Sequence, residues 1–138
     1  MALTTAAIIV KGERLFLARR KASGSMGSRW EFPGGKVEEG ETPEKALIRE
    51  LNEEFGVPSR VLEFLGSVEF VHNSIPYSLL AFWVEWQTNP HFLEEHTEVG
   101  WFSLEEIEQL DLADSDRALF EKLKDSLKLH FHWEQSRS

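Results

Sequence analysis

The sequence predicts a layered α/β or α+β domain in which a few helices pack on a β-sheet. Two observations support this fold class. Short runs rich in Val, Phe, Leu and Trp lie between turn residues, which is typical of strands, and other stretches carry the residues that start and stop helices. Strands interleaved with a few helices form layers around one core. The 138 residues are enough for one such core, so we expect a single domain over residues 1–138.

The first elements are predicted to be a β-hairpin and a short strand. Residues 6–10 and 15–18 are apolar runs separated by a turn at residues 11–13, as expected for two antiparallel strands. Residues 21–28 are rich in Gly and Ser and are predicted to form a loop. Residues 30–32 are predicted to form a short strand, because a Pro-Gly-Gly sequence follows them directly.

A helix is predicted from about Pro43 to Phe55, and both of its ends are marked. Thr42 suits the N-cap, Pro43 suits the first helical position, and Gly56 suits the left-handed residue after the end. Apolar residues on one face of this helix are expected to dock on the sheet; they are Leu47, Ile48, Leu51 and Phe55.

The second half of the chain is predicted to contain further strands and two helices. Ser103 and Glu106 have the spacing of a capping box, which starts a short helix. His130 and His132 alternate within residues 129–133; a strand would place both on one face, where they could bind metal, but a terminal amphipathic segment is the favoured interpretation. The other predicted elements are strands over 61–71 and 77–86 with a turn at 73–74, a strand ending at 101–102, and a helix over 115–127.

Composition and charge limit the classes of function. Hydrophobic residues make up 41% and charged residues 28%, as in ordinary globular proteins, and no apolar run is long enough for a membrane span or a signal peptide. The chain has no cysteine, which excludes disulfides and thiol chemistry and fits a cytoplasmic protein. The net charge of −9 disfavours binding to a nucleic acid polymer. It leaves small phosphate esters open if divalent cations lie between the negative groups.

Three glutamates of the predicted helix break the local rules. Glu50, Glu53 and Glu54 lie at i, i+3 and i+4, where like charges repel, and in the later half of the helix, where the dipole disfavours anions. Each effect costs only about 0.2–1 kcal/mol, but all three carboxylates incur it together. Two interpretations follow: a solvated acidic face, or a hard-cation site in which carboxylates one turn apart converge on Mg²⁺.

The residues around these glutamates decide between the two interpretations. A glycine is followed after five residues by a glutamate, and after seven more by a cluster of charged residues that ends in Gly-Val. This pattern resembles the Nudix box at every defined position over 23 residues: Gly35, Glu41, Arg49, Glu50, Glu53, Glu54, Gly56 and Val57. Residues 30–38 and 15–20 are similar to the MutT-like branch of that family. The resemblance implies a Nudix-like α/β/α sandwich with a mixed β-sheet between helices.

The resemblance also implies which residues hold a metal ion. Glu50, Glu53 and Glu54 would be ligands of Mg²⁺, for which Mn²⁺ can substitute. The backbone carbonyl of Gly34 would be a further ligand, since glycine lets the main chain come close to the metal. Arg49 would orient a glutamate rather than contact the substrate, because a guanidinium forks well onto a carboxylate.

Two further carboxylates are candidates for catalytic support. Glu41 would pair with Arg49 or support the metal shell, and its other interpretation is a carboxylate near a helix N-terminus. The general base would be Glu98, in a loop where related enzymes often carry a carboxylate, or Glu53.

Substrate contacts are expected from basic and acidic residues outside the box. By resemblance, Arg20 would contact phosphate, with Arg19 pointing to the other side of its strand, and Lys36 is a second candidate. Asp114 falls where MutT-like proteins place an Asn or Asp that contacts the base edge, and Asp116 is the alternative. Both aspartates would otherwise serve only to cap a helix.

These expectations indicate a Mg²⁺-dependent hydrolase that converts a nucleoside triphosphate to nucleoside monophosphate and pyrophosphate. Candidate substrates are oxidised or modified deoxynucleoside triphosphates such as 8-oxo-dGTP, and cytidine nucleotides. One alternative is a Nudix hydrolase of a dinucleotide, a sugar nucleotide or ADP-ribose, and another is a non-catalytic ligand-sensing module. The expected partner is a small nucleotide, with neither a nucleic acid polymer nor a membrane, and the chain is expected to be a monomer or homodimer.

Overall fold

The computed structural model describes residues 1–21 and 28–137. Most of the loop predicted over 21–28 therefore lies outside the described residues. The strands are β1 (Ala2–Lys11), β2 (Arg14–Arg20), β3 (Trp30–Glu31), β4 (Ser59–His72), β5 (Ile75–Trp86) and β6 (His96–Phe102). The helices are α1 (Pro43–Phe55), α2 (Leu104–Gln109) and α3 (Asp114–Arg137). Within the described ranges, none of the helices combines the length and the apolar character needed to span a bilayer.

The strands of the described residues form one mixed sheet in the order β3-β2-β1-β5-β4, with β6 on the opposite edge of β2. β1 and β5 are parallel, and the other paired strands are antiparallel. β6 follows β2 along its length, whereas β1 pairs only with the start of β2 and β3 only with its end. The end of β2 is therefore flanked by β3 on one edge and by the start of β6 on the other.

Helices cover both faces of the sheet, which confirms the predicted α/β/α sandwich with a mixed sheet. The described residues form two hydrophobic cores, one on each face of the sheet. Strand β2 contributes to both, because successive side chains of a strand point to opposite faces. Phe16 and Ala18 belong to the core under α1, whereas Leu17 belongs to the core under α2 and α3. By the same alternation Arg20 lies on the α1 side and Arg19 on the α3 side.

The ends of α1 agree with the prediction. The side chain of Thr42 accepts a hydrogen bond from the N–H of Lys45, and Pro43 is the first helical residue. Gly56 has φ +68°, a left-handed conformation that favours glycine. The ring of Phe92 covers this position so closely that a Cβ on Gly56 would lie 2.5 Å from Cε2. The helix therefore stops where the following chain folds back over it.

The buried face of α1 differs from the predicted stripe at one position. Ile48 is 40% exposed, so its predicted place in the core was wrong, whereas Ala46 is fully buried. Leu47 and Glu54 lie almost directly above one another, because seven residues make nearly two helical turns. Ile48 is rotated by about 100° from Leu47 and falls at the rim. The packing that buries Leu47 thus also carries the carboxyl group of Glu54 inwards.

The other predicted elements are present, and several are longer than predicted. Asn73 and Ser74 form the predicted turn between β4 and β5, with φ +50° and +65°. Helix α2 begins with the predicted capping box. Because α3 extends to Arg137, residues 129–133 are helical, and the less favoured strand interpretation of them is wrong. His130 is helical, and its ring contacts that of Trp83 at a centroid distance of 4.5 Å.

Strand β4 forms one edge of the sheet, and its regular pairing is interrupted. Its register with β5 shifts between Val61 and Phe64 and again between Phe64 and Gly66. Between these shifts and the β4–β5 turn, the ammonium of Lys122 in α3 donates a hydrogen bond to the carbonyl of Ser67. Bulges and lysines of this kind are common on edge strands.

Candidate active site

A cleft beside the C-terminal half of α1 collects acidic side chains from separate parts of the chain. Its walls come from the end of β2, from α1 and from the segment before β6; they are Arg20, Glu50, Glu53, Glu54, Glu94 and Glu95. The three glutamates predicted to bind metal and the arginine predicted to contact phosphate therefore lie together. Arg20 is the only cation among the described residues that line the cleft, which leaves the cleft strongly negative.

Backbone hydrogen bonds fix the segment that carries Glu94 and Glu95. The N–H of His91 donates to the carbonyl of Phe55 at 2.9 Å, and the N–H of Glu94 donates to the carbonyl of Glu54 at 3.1 Å. Carbonyls in the last turn of a helix have no partner inside the helix, so the segment satisfies the end of α1. The backbone that carries Glu94 and Glu95 is thereby held at a fixed distance from the end of α1.

Glu54 is the most buried of these carboxylates. The residue is 6% exposed, and its Oε2 has no hydrogen-bond partner among the described residues. Burial, with the negative charges of Glu31 and Glu50 nearby, raises the pKa of Glu54 to about 9. In the absence of a compensating cation, this group is therefore more stable as a neutral acid than as a carboxylate.

Arg49 binds carboxylates along the outer side of α1. Its Nε and Nη2 donate to the two oxygens of Glu41 at 2.7 and 2.9 Å. Its Nη1 donates to Glu50 at 2.9 Å and to Glu53 at 3.3 Å, and its Nη2 reaches the carbonyl of Lys36. The hydrogen bond from Arg49 lowers the pKa of Glu41 to about 2, and the same bond raises the pKa of Arg49. The guanidinium thus connects the loop before α1 with two of the cleft glutamates.

The turn at Gly34 and Gly35 runs so close to its neighbours that side chains are excluded. A Cβ on Gly34 would lie 2.0 Å from the carbonyl oxygen of Thr5, and a Cβ on Gly35 would lie 2.3 Å from Cδ of Glu50. The N–H and the hydroxyl of Thr5 both donate to the carbonyl of Gly35, each at 2.9 Å. The main chain of this turn is therefore fixed directly against the Glu50 carboxylate.

The donor set fits a hard divalent cation. Carboxylates of α1 and the main chain of the Gly34–Gly35 turn offer the oxygen ligands that Mg²⁺ prefers. The clearest sign of such a site is Oε2 of Glu54, which no described residue binds, because a buried carboxylate oxygen without a partner is costly. In the part of the chain that the structure describes, no three acidic or histidine side chains already converge as metal ligands. Glu50 and Glu53 instead face Arg49 and would have to turn towards an ion.

Arg20 is held at the cleft by a carboxylate of β3. Its Nε and Nη2 donate to the two oxygens of Glu31, each at 3.2 Å. Nε2 of His96, at the start of β6, lies 2.8 Å from the same carboxylate. The imidazole is fully buried and stacks on the ring of Phe55 at a centroid distance of 5.1 Å. Glu31 therefore joins an exposed cation to a buried ring.

Glu98 and Lys36 are predicted site residues that do not line the cleft. Glu98 is paired with Arg19 at 2.8 Å, because the two residues are directly opposite each other in the β2–β6 pairing. That pair lies on the α3 side of the sheet, away from the glutamates of α1. The ammonium of Lys36 lies 5.7 Å from the ring centre of Tyr77 and does not contribute to the lining.

The two aspartates at the start of α3 are placed differently. The side chain of Asp114 is 93% exposed and pairs with Arg29 at 2.9 Å. Asp116 is 7% exposed, and its Oδ1 accepts a hydrogen bond from the N–H of Phe32 at 2.9 Å. Burial, with a smaller effect from Glu31, raises the pKa of Asp116 to about 7. Asp116 is therefore the aspartate that faces the interior next to the site, whereas Asp114 faces solvent.

Four residues of this site were not predicted from the sequence: Glu31, Glu94, Glu95 and His96. The pairing of β6 with β2 contains a bulge, in which two residues of β6 match one step of β2 between Arg19 and Arg20. His96 and Glu98 therefore point to opposite faces despite their i, i+2 spacing. The adjacent glutamates just before the strand were the available signal for an acidic loop.

Comparisons with known proteins agree with this geometry. A family model described as the NUDIX domain matches residues 1–123. Over 119 residues the chain is 34% identical to the 8-oxo-dGTP diphosphatase of Escherichia coli (strain K12), covering 84% of this chain and 92% of that protein. Over 116 residues it is 37% identical to the CTP pyrophosphohydrolase of the same strain, covering 84% and 86%.

Solved structures give the same result. The E. coli ORF135 protein superposes with a TM-score of 0.81 at 35% identity, covering 91% of this chain and 92% of that one. The MutT protein from Methanosarcina mazei Go1 superposes with a TM-score of 0.80 at 26% identity, covering 91% and 94%. The chain therefore belongs to the Nudix hydrolases, in the MutT-like branch of nucleotide pyrophosphohydrolases.

Proposed function

We propose that this Nudix hydrolase converts nucleoside triphosphates to nucleoside monophosphates and pyrophosphate with Mg²⁺. The observation that carries the proposal is the buried Oε2 of Glu54, which has no hydrogen-bond partner among residues 1–21 and 28–137 and lies in a cleft with Glu50, Glu53 and Arg20. A hard cation relieves the repulsion between these carboxylates, and the arginine offers a place for phosphate beside it. A chain without cysteine also fits a cytoplasmic location for the reaction.

Four groups are proposed to hold the ion: the carboxylates of Glu50, Glu53 and Glu54 and the backbone carbonyl of Gly34. All are oxygen donors, so Mn²⁺ can replace Mg²⁺. When bound, such an ion neutralises phosphate charge and lowers the pKa of a coordinated water. Arg49 supports this set by holding Glu50 and Glu53 from the outer side of the helix.

Phosphate binding and proton transfer from the attacking water are assigned to side chains of the cleft. Arg20 binds phosphate oxygens with the N–H groups that Glu31 does not use. Glu53 has a side chain that is 59% exposed, so it can accept a proton from the attacking water. Glu95 is a second exposed carboxylate of the same cleft. Both are better placed for this role than Glu98, which is paired on the other side of the sheet.

Base recognition is assigned to Asp116 instead of Asp114. Burial raises the pKa of Asp116 to about 7, so its carboxyl is partly protonated at neutral pH. Its Oδ1 accepts the N–H of Phe32, and its Oδ2, which the hydroxyl of Ser115 contacts at 3.3 Å, is the oxygen proposed to donate to or accept from a base. That combination suits a base edge with an amino group next to an acceptor, as in cytosine. The names of the two E. coli relatives point to 8-oxo-dGTP and CTP, and these are the first substrates to test.

The test is pyrophosphate release from a panel of natural, oxidised and methylated nucleoside triphosphates in the presence of Mg²⁺. We expect one triphosphate to be strongly preferred and Glu53→Gln to lose that activity. Glu44→Gln is the matched control, because Glu44 is an exposed glutamate near the other end of the same helix. Equal activity in wild type and Glu53→Gln would contradict the proposed site.

The same panel extends to the other substrate classes. If dinucleotides, sugar nucleotides or ADP-ribose are hydrolysed and triphosphates are not, the assignment of the substrate class is wrong while the metal site stands. If none of these compounds is hydrolysed, the chain is assigned to the non-catalytic ligand-sensing modules instead of the enzymes.

A further inference from the structure

A row of three side chains connects a buried histidine to the cation of the cleft. The side chain of His96 has no exposed surface, and its Nε2 lies 2.8 Å from Oε2 of Glu31. The same carboxylate accepts hydrogen bonds from Nε and Nη2 of Arg20, each at 3.2 Å. Because a carboxylate only accepts hydrogen bonds, Nε2 of His96 carries the proton. Glu31 is therefore held by His96 while it holds Arg20.

The imidazole of His96 is fixed by the helix that carries the cleft glutamates. Its ring stacks on that of Phe55, with a centroid distance of 5.1 Å and an angle of 13° between the planes. Phe55 follows Glu54 directly in α1 and contacts Phe16 edge to face at 5.6 Å. Packed rings, rather than flexible side chains, thus set the distance from the Glu31 carboxylate to the carboxylates of α1.

Arg20 needs such support because several carboxylates compete for it. It interacts electrostatically with Glu54 and Glu95 as well as with Glu31. A released guanidinium would pair with either of the cleft carboxylates and occupy groups that a metal ion needs. Glu31 uses two of the five N–H donors of Arg20, so the described residues leave three of them, including the pair at the end of the guanidinium. That end suits a phosphate group.

We propose that His96 is a positioning residue for phosphate binding. Through Glu31 it keeps the guanidinium of Arg20 at the cleft and away from the carboxylates that hold the metal ion. The inference rests on the proposed function, because it takes this cleft as the place where phosphate binds. His96 itself contacts neither phosphate nor metal and acts only through Glu31.

The test measures the dissociation constant of Mg²⁺-pyrophosphate by titration calorimetry, which needs no turnover. His96→Leu removes the hydrogen bond and fills the buried position with an apolar side chain, whereas His96→Gln keeps an N–H donor. We expect His96→Leu to weaken binding about tenfold, which is typical for the loss of one hydrogen bond to a charged group, and His96→Gln to restore most of it. His91→Leu changes an exposed histidine of the neighbouring loop and should bind like wild type.

A double-mutant cycle separates positioning from general stability. On an Arg20→Ala background, His96→Leu should weaken binding no further, because the group that it positions is gone. Glu31→Gln should reproduce the tenfold loss without disturbing the stacked rings, so the test stands even if His96→Leu does not fold. An equal loss on the Arg20→Ala background, no loss in His96→Leu, or no pyrophosphate binding by wild type would overturn the inference.

Turnover of the nucleotide panel distinguishes this inference from the proposed function. Coupling between His96 and Arg20 in a protein that hydrolyses no nucleotide would support the positioning role and reject the proposed reaction. Hydrolysis without coupling would support the reaction and reject the positioning role.

Discussion

Burial of Glu54 makes the stability of the metal-free protein depend on pH. In the folded protein burial raises the pKa of Glu54 to about 9, from the 4.5 of an ordinary glutamate. Between these two values the folded state keeps the proton and the unfolded state has released it. A rise in pH therefore favours unfolding, and each pH unit lowers the free energy of unfolding by about 1.4 kcal/mol. The group is only 6% exposed, so solvent screening reduces this effect little.

Glu54→Gln removes this dependence because glutamine does not titrate. The free energy of unfolding of the variant relative to wild type should rise by about 2–3 kcal/mol between about pH 6 and pH 8. For a chain of this size that is about 6–9 °C in melting temperature. The comparison between two pH values cancels any constant effect of the buried amide, and it also cancels other titrating groups such as Asp116, which are present in both proteins.

The assay is thermal or urea unfolding of both proteins in chelator at the two pH values. Glu53→Gln is the control, because it removes a carboxylate from the same helix at an exposed position. Glu53→Gln should keep the pH dependence that burial of Glu54 produces, because Glu54 is still present in this variant. Parallel pH dependences of wild type and Glu54→Gln would refute the reasoning, since they would mean that Glu54 is not held as a buried acid.

The remaining predictions concern the metal, Arg49, Gly35 and the general base. With Mg²⁺ in place of chelator, wild type should melt at a higher temperature, because the ion relieves the repulsion in the cleft; equal melting temperatures would count against a preformed site. Arg49→Ala should lower kcat/KM about 10–100-fold with little loss of folding, because it releases cleft glutamates; a variant that fails to fold would indicate a structural role. Gly35→Ala should lower activity at least about tenfold, because the added methyl would lie 2.3 Å from Cδ of Glu50. Glu95→Gln should lower kcat, whereas Glu98→Gln should keep both the rate and the pH–rate profile; the reverse order would restore Glu98 as the base.

Two of these variants have matched controls elsewhere in the chain. Arg60→Ala removes an arginine whose side chain is 76% exposed and which does not line the cleft, so activity should be unchanged. Gly12→Ala adds a methyl group where no heavy atom lies within 4 Å, although φ is +63° there. It should lower stability by about 1 kcal/mol and leave activity unchanged, in contrast to Gly35→Ala.

Elements with local start and stop signals could be predicted from the sequence. The bounds of α1 agree with the prediction because Thr42, Pro43 and Gly56 act on neighbouring backbone groups. The turn at Asn73 and Ser74 is local in the same sense. Residues whose burial depends on how an element docks were less predictable, as Ile48 shows.

The site was predictable where its residues share one helix. Glu50, Glu53 and Glu54 line the cleft together, because helical spacing fixes their relative positions. Asp114 and Asp116 could not be distinguished in this way, because both precede or open the same helix. Only the approach of the Phe32 backbone, which is distant in sequence, shows that Asp116 is the buried one. The placement of Glu98 likewise depends on a bulge that the sequence does not mark.

The interrupted edge of β4 has a consequence for how copies of this chain can associate. A neighbouring strand extends a sheet only where a continuous row of backbone donors and acceptors is open to it. Here the register shifts on either side of Phe64 break that row, and Lys122 already binds the carbonyl of Ser67. Extension of the sheet across the interrupted part of β4 is therefore disfavoured, both in a homodimer of this chain and in a fibre built by adding strands there. The long edge strand is protected against aggregation by features that lie outside the cleft.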